Sequence, residues 1–182
     1  GGSDRKYGGV THLDVADFER EFHEQQVPHS TALHAVRTGT NRPYLVGPLA
    51  RVGLNFERLS PTARVLVDEL SIDWPCGNPY QSIVARGLEL VHAFEEALSI
   101  LRDYRPPKTA RVSFQSRAGT GCAATEAPRG LLYHRYEIDD AGMVVSAKII
   151  PPTSQNQRQI EDDLRALVPV VEAADDQRLA EQ

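Results

Sequence analysis

Leu131-Leu132-Tyr133-His134-Arg135-Tyr136-Glu137-Ile138 alternates and is rich in aromatic and branched residues, then come Asp139-Asp140-Ala141-Gly142 and Met143-Val144-Val145-Ser146-Ala147-Lys148-Ile149-Ile150. Two such runs around a polar turn predict an antiparallel hairpin over about 131–150. Pro151-Pro152 ends the second strand. With Ile138 opposite Met143, the register carried to the open end sets Arg129 against Pro152 and Pro128 against Thr153. Facing residues of an antiparallel pair lie about 4.5–5.5 Å apart. Glu126-Ala127-Pro128-Arg129-Gly130 and Pro151-Pro152-Thr153-Ser154 are therefore expected to converge there. A bulge would slide that register.

Working outward, Ser154 with Gln157 three residues later has the form of a capping box, opening a helix to about Val168. Ala110 to Phe114 reads as a short strand and Ala118 to Cys122 as a glycine-punctuated loop. Asn78-Pro79 opens the longest element, to about Tyr104, where Tyr80, Val84, Gly87, Val91, Phe94, Leu98 and Leu101 form one stripe. That stripe is expected to be buried, with Gly87 marking a close backbone approach. Ser60-Pro61 starts a helix to about Leu70, and Asp14 caps one to about Gln25 with Val15, Phe18 and Phe22 on one face. Residues 1–11 are expected to be flexible, and the acidic tail over 172–182 to fray. The whole, 1–182, reads as one α+β domain, mainly helical, dominated by the helix at about 78–104, with the hairpin and a possible third strand.

Composition excludes several classes. The chain has 182 residues, 20 Lys+Arg against 25 Asp+Glu and no apolar run long enough to span a bilayer. Net charge −5 without a basic block argues against a nucleic-acid partner. Two cysteines, Cys76 and Cys122, make no disulfide framework, so a cytoplasmic setting is expected. The chain opens Gly1-Gly2-Ser3 and its one methionine is Met143, so its opening is expected to be an appended scar or a processed end, and the sequence a piece of something larger.

At the open end of the hairpin, the residues make a donor-rich pocket. Arg129 brings five fixed donors, Thr153 and Ser154 bring hydroxyls, and the start of the last helix brings free amides. Pro128 and Pro152 stiffen the backbone on both sides. Such a site suits a small anionic or strongly accepting ligand. The competing arrangement pairs Arg129 with Glu126 or Glu137 and leaves the hydroxyls as caps. The six histidines are scattered, with His29 and His34 only a loose pair, and neither they nor the isolated cysteines are assigned as metal ligands.

Four segments taken together resemble the large, catalytic subunit of nickel–iron hydrogenases: Val46-Gly47-Pro48-Leu49-Ala50-Arg51, Glu126-Ala127-Pro128-Arg129-Gly130, Leu132-Tyr133-His134-Arg135-Tyr136 and Ile150-Pro151-Pro152-Thr153-Ser154-Gln155-Asn156. The third is similar to cytosolic multisubunit members that reduce nicotinamide, deazaflavin or similar carriers. The resemblance implies reversible H2 oxidation at a nickel–iron centre whose iron carries CO and cyanide. It implies partners too: an iron–sulfur small subunit and diaphorase-type subunits. Arg129 would then be the catalytic residue over the metals, bonding cyanide and assisting hydrogen polarisation. Pro128 would wall the cavity together with Pro152, and Thr153, or less well Ser154, would bond the second cyanide.

One departure stands against that pattern. The family holds its metals with two Cys-x-x-Cys pairs, and neither is in this sequence. The expectation is an internal segment that brings residues around the metals but no thiolate, with no cofactor and no activity as this chain alone. Its unpartnered faces should leave apolar patches exposed and favour self-association. Two other readings remain open: the homologous, metal-free subunit of respiratory quinone reductases, and a non-catalytic interaction or assembly module.

Overall fold

A computed structural model describes the backbone of residues 11–180 and the side chains of 11–173. The chain forms the hairpin, as strands β4 (Gly130–Ile138) and β5 (Val144–Ile150). Its loop takes in one residue more than expected. Asp139 Oδ1 accepts the Met143 N–H at 2.9 Å, which holds Met143 in the turn. Val144 consequently faces Ile138, and an irregularity between Glu137 and Ile138 brings Tyr133 opposite Ile150. The register thus slides from the expected one. Past Ile150 the chain leaves the sheet, so Pro152 and Thr153 are held by a helix and not by a ladder.

The third strand is β3 (Gly119–Ala127), paired with β4 from Gly119↔Ile138 to Ala127↔Gly130. It was expected at Ala110–Phe114, yet Val112 and Phe114 are exposed there, and the stretch read as a loop over 118–122 is strand from Gly119 on. An edge strand of small residues with both faces mostly wet carries no hydrophobic alternation.

The first helical signal also yields a shorter element. Asp14 does cap, accepting the Ala16 N–H at 2.9 Å. After a 3-10 turn (Val15–Asp17) and α1 (Phe18–Glu21), the chain becomes strand β1 (Phe22–Gln25), paired antiparallel with β2 (His34–Arg37). Phe18 leaves this segment to stack on Tyr133, ring centroids 4.4 Å apart, and with Ile150 they form one core cluster.

A second cluster joins the helices α2 (Pro48–Asn55), α3 (Pro61–Glu69) and α4 (Ser82–Asp103) through Leu49, Val52, Leu59, Ala63, Ala85 and Leu88. The Ser60-Pro61 start holds, but the donors are met from α4: Glu95 accepts from the Thr62 amide at 3.2 Å, and His92 from the Ser60 amide at 3.2 Å. The expected α4 stripe is not buried as a unit. Ala85 and Leu88 are, while Tyr80, Phe94, Leu98 and Leu101 are exposed, and nothing lies within 4 Å of a Cβ at Gly87. The exposed apolar patch expected on this helix is therefore present.

The last helix, α5 (Pro152–Ala180), has 29 residues against 22 in α4, so it, and not the element at 78–104, is the longest. It passes Pro169 and is helical to Ala180, and the end of the 172–182 tail expected to fray lies outside the described residues. Ser154 lies inside its first turn, not at its cap, and donates its hydroxyl to the Pro151 carbonyl at 3.1 Å. The expected flexibility of 1–11 falls, but for Thr11, outside the described residues. No helix among those described is long and apolar enough to cross a membrane.

Candidate functional site

Three sequence segments, far apart along the chain, lock together at the open end of the hairpin. The first is Val46-Gly47, entering α2. Gly47 has φ +112°, and a Cβ there would lie 2.7 Å from the Arg129 carbonyl oxygen. The second is the tight Pro128-Arg129 connection between β3 and β4. Gly130, with φ +142°, meets Val46 so closely that any Cβ would overlap its side chain. Both glycines are required on two counts, the left-handed conformation and the backbone-to-backbone approach. The third segment is the first turn of α5. Asn156 bridges the other two, its Oδ1 accepting the Val46 N–H at 2.8 Å and its Nδ2 donating to the Arg129 carbonyl at 3.2 Å.

Arg51 holds the same turn from the helical side. Its Nε and Nη2 donate to Glu89 at 2.6 and 2.9 Å, and its Nη1 donates to Glu126 at 2.6 Å. The same guanidinium reaches the carbonyls of Ala127 at 2.9 Å and Pro128 at 3.2 Å. These carboxylate hydrogen bonds raise the already high pKa of Arg51, which stays charged. Fully buried Gln155 completes the frame, donating to the carbonyls of Leu131 at 2.5 Å and Ile150 at 3.2 Å. The roles of Arg51, Gln155 and Asn156 were not anticipated. Their only signal was membership of the quoted segments, since nothing local says that Arg51 reaches residues 38 to 77 positions away.

These contacts decide how the expected site residues are left. Glu126 is taken by Arg51, so it is not the partner of Arg129. Arg129 is exposed, and its guanidinium makes no hydrogen bond or ion pair among the described residues. Thr153 is also exposed, without a hydrogen-bond partner among those residues, one position into α5. Pro152 is half-buried and Pro128 exposed. Ser154 is buried with its only hydroxyl proton directed at Pro151, so of the two hydroxyls Thr153 is the one free to donate. The backbone of Arg129 and the first turn of α5 are thus joined, while the orientation of the Arg129 and Thr153 side chains toward each other stays an expectation.

Beneath this region, Tyr133 donates its hydroxyl to Glu19 at 2.9 Å, and Arg135 Nε donates to the same oxygen at 2.6 Å. The Arg135 hydrogen bond holds the Glu19 carboxyl below the usual range. Burial, then the anionic Glu19, push the Tyr133 phenol up to about 12.

No family model matches the chain. Among curated proteins it is 32% identical over 153 residues to the sulfhydrogenase 1 subunit alpha of Pyrococcus furiosus, covering 83% of this chain and 34% of that protein. It is 27% identical over 129 residues to the NAD-reducing hydrogenase HoxS subunit beta of Cupriavidus necator, covering 67% of this chain and 26% of that one. Among solved structures, the NAD+-reducing [NiFe]-hydrogenase in the H2-reduced state superposes with a TM-score of 0.63 at 26% identity, over 81% of this chain and 34% of the other. The chain spans about a quarter to a third of the length of these relatives. Over the matched residues it is like part of a nickel–iron hydrogenase large subunit.

Proposed function

We propose that this chain is part of the catalytic subunit of a nickel–iron hydrogenase and lines a metal centre whose thiolate ligands lie outside it. The observation that carries this reading is the division of labour at the site. Arg51, Gln155 and Asn156 are committed to holding three segments together, and Arg129 and Thr153 are left with donors to offer. An arginine raised on a braced turn beside a helix start suits an anionic acceptor such as cyanide, because it stays charged and its donors have fixed directions. Pro128 and Pro152 flank it as apolar wall.

The chain's own residues do not fit the metals themselves. Its two cysteines are separated, Cys76 packed against the helical cluster and Cys122 against the sheet cluster. A nickel–iron centre needs a set of thiolates, so no reaction step is assigned to this chain. What its residues would do is bind and orient: Arg129 and Thr153 would donate to the ligands of iron, and the interlocked Gly47 and Gly130 hold the Arg129 turn against the entry to α2. Such contacts tune a bound metal but do not capture it. Reversible H2 oxidation coupled to a soluble carrier, with NAD suggested by the names of two relatives, is the activity of the whole assembly. An iron–sulfur small subunit and diaphorase-type subunits are its proposed partners, and the cytoplasm its proposed compartment.

The test compares hydrogen uptake by the purified chain with that of the full-length subunit in its assembly. The chain alone should take up no hydrogen when supplied with nickel and iron. In the assembly, Arg129→Lys should lower uptake at least about tenfold at unchanged nickel content, the effect of losing one well-placed donor at a charged centre. Uptake by the chain alone, or full activity of the Arg129→Lys assembly, would refute the reading.

A further inference from the structure

A second constellation lies away from the hairpin mouth. His29 sits in the loop between β1 and β2, His34 opens β2, and Glu161 lies on α5, about 12 Å along the helix from Thr153 at 1.5 Å per residue. His29 Nε2 is 2.9 Å from Glu161 Oε2, and His34 Nε2 is 3.1 Å from Glu161 Oε1. The two rings are 5.7 Å apart and nearly perpendicular. One ligand atom from each of the three residues falls within 4.8 Å of the others.

We propose that His29, His34 and Glu161 form a site for a zinc-type divalent cation, with two imidazole nitrogens and one carboxylate as ligands and a fourth position open to solvent. The chemistry of the donors selects the ion. Two imidazoles with one carboxylate suit zinc and its neighbours, whereas calcium and magnesium ask for oxygen ligands. Three protein ligands with one open position is the arrangement of a zinc ion that keeps a water. Zinc–ligand bonds of about 2.0–2.1 Å put tetrahedral ligand atoms about 3.3 Å apart, and the two imidazole–carboxylate separations, 2.9 and 3.1 Å, already lie near that value.

The burial of His34 is the independent observation. It is 0% exposed, and both ring nitrogens lack an aligned hydrogen bond. A buried ring nitrogen that faces a carboxylate at 3.1 Å without an aligned hydrogen bond is costly, and a cation between Nε2 and Glu161 would satisfy both groups. Glu161 is already oriented by its neighbours. Arg165 Nη2 donates to Oε2 at 2.9 Å and Gln157 Nε2 to Oε1 at 3.3 Å. Arg165 is a cation beside the site and lowers its affinity, while fixing the carboxylate in place. An ion here would clip the His29 loop onto α5.

The experiment titrates the full chain with zinc chloride against a chromophoric chelator, and with cobalt chloride followed by its visible absorption. One equivalent of zinc should bind, and cobalt should show the intense bands of a low-coordinate site, with no competition from millimolar magnesium or calcium. His29→Ala, at an exposed position, and Glu161→Gln, which keeps its volume, should each weaken zinc binding about 100-fold or more. His23→Ala and His134→Ala should leave it unchanged. Absence of one-to-one binding, equal affinity in the His29→Ala and Glu161→Gln chains, or loss of binding in either control would overturn the proposal.

Discussion

Replacing Arg51 by methionine keeps the aliphatic stem and removes every donor that this side chain gives to the Pro128-Arg129 turn, leaving the Asn156 bond to the Arg129 carbonyl. Arg51 and Glu89 are each about one-fifth exposed, with side-chain accessibilities of 21% and 22%, so their bond is partly desolvated. A hydrogen bond to a charged group in a buried setting is worth about 1.5–3 kcal/mol, and at this exposure about half of that survives. Glu126, 53% exposed, adds about 0.5 kcal/mol, and the carbonyls of Ala127 and Pro128 exchange their donor for water at small cost. The expected loss is about 2 kcal/mol, a fall of about 4–8 °C in Tm for a chain of this size. Arg51→Lys restores the charge without the fork and should recover about half. Urea melts followed by circular dichroism would measure this at constant m-value, and a double-mutant cycle with Glu89→Gln should give a coupling above about 1 kcal/mol. A loss under about 0.5 kcal/mol, or strictly additive effects, would mean that Arg51 is a surface ion pair and not the brace of the site.

Gly47→Ala meets both a positive φ and the Arg129 carbonyl, and should cost about 2 kcal/mol or more, whereas Gly87→Ala, at an open helical position, should be neutral or stabilising by urea melt. The Glu19 carboxyl is lowered in the folded chain by Arg135 and Tyr133, so its contribution is present above the ordinary carboxylate pKa of about 4.3 and lost as pH falls through the lower folded value. The stability gap between wild type and Glu19→Gln should therefore be full at pH 7 and shrink on acidification, and a constant gap would contradict it. Phe94 and Leu98 are exposed on α4, so Phe94→Glu with Leu98→Glu should reduce self-association in sedimentation velocity at little cost in stability.

What could be read from the sequence follows the range of the forces involved. The β4–β5 hairpin was legible because alternation and a turn are local, and so were the Asp14 cap and the Ser60-Pro61 start. The register was not, because an Asp139 side chain drew Met143 into the loop. Strand β3 escaped because an exposed edge of glycine and alanine needs no apolar face, and β1 because its pairing with β2 overrides a helical signal. The α4 stripe was legible as a pattern, but which of its residues are covered depends on what packs against it. At the site, residues 126–130 were expected to meet 151–154 by strand register, whereas the contact to the Arg129 turn is made by Asn156, from the first turns of α5. The parts played by Val46, Arg51 and Asn156 were not foreseen, since their contacts run across 27 to 110 residues of chain. His34 was similarly opaque: nothing in its neighbours announces that α5 will cover it.

The most direct measurement is the infrared spectrum of cyanide bound in the full-length assembly, recorded for wild type, Arg129→Lys and Thr153→Val at matched metal content. Donors from these two side chains should hold the cyanide stretches at their wild-type positions, so each substitution is expected to move one band while the carbon monoxide band moves less. Cyanide bands that stay in place in both variants would show that neither residue reaches the metal ligands, and the role assigned to this part of the chain would fall.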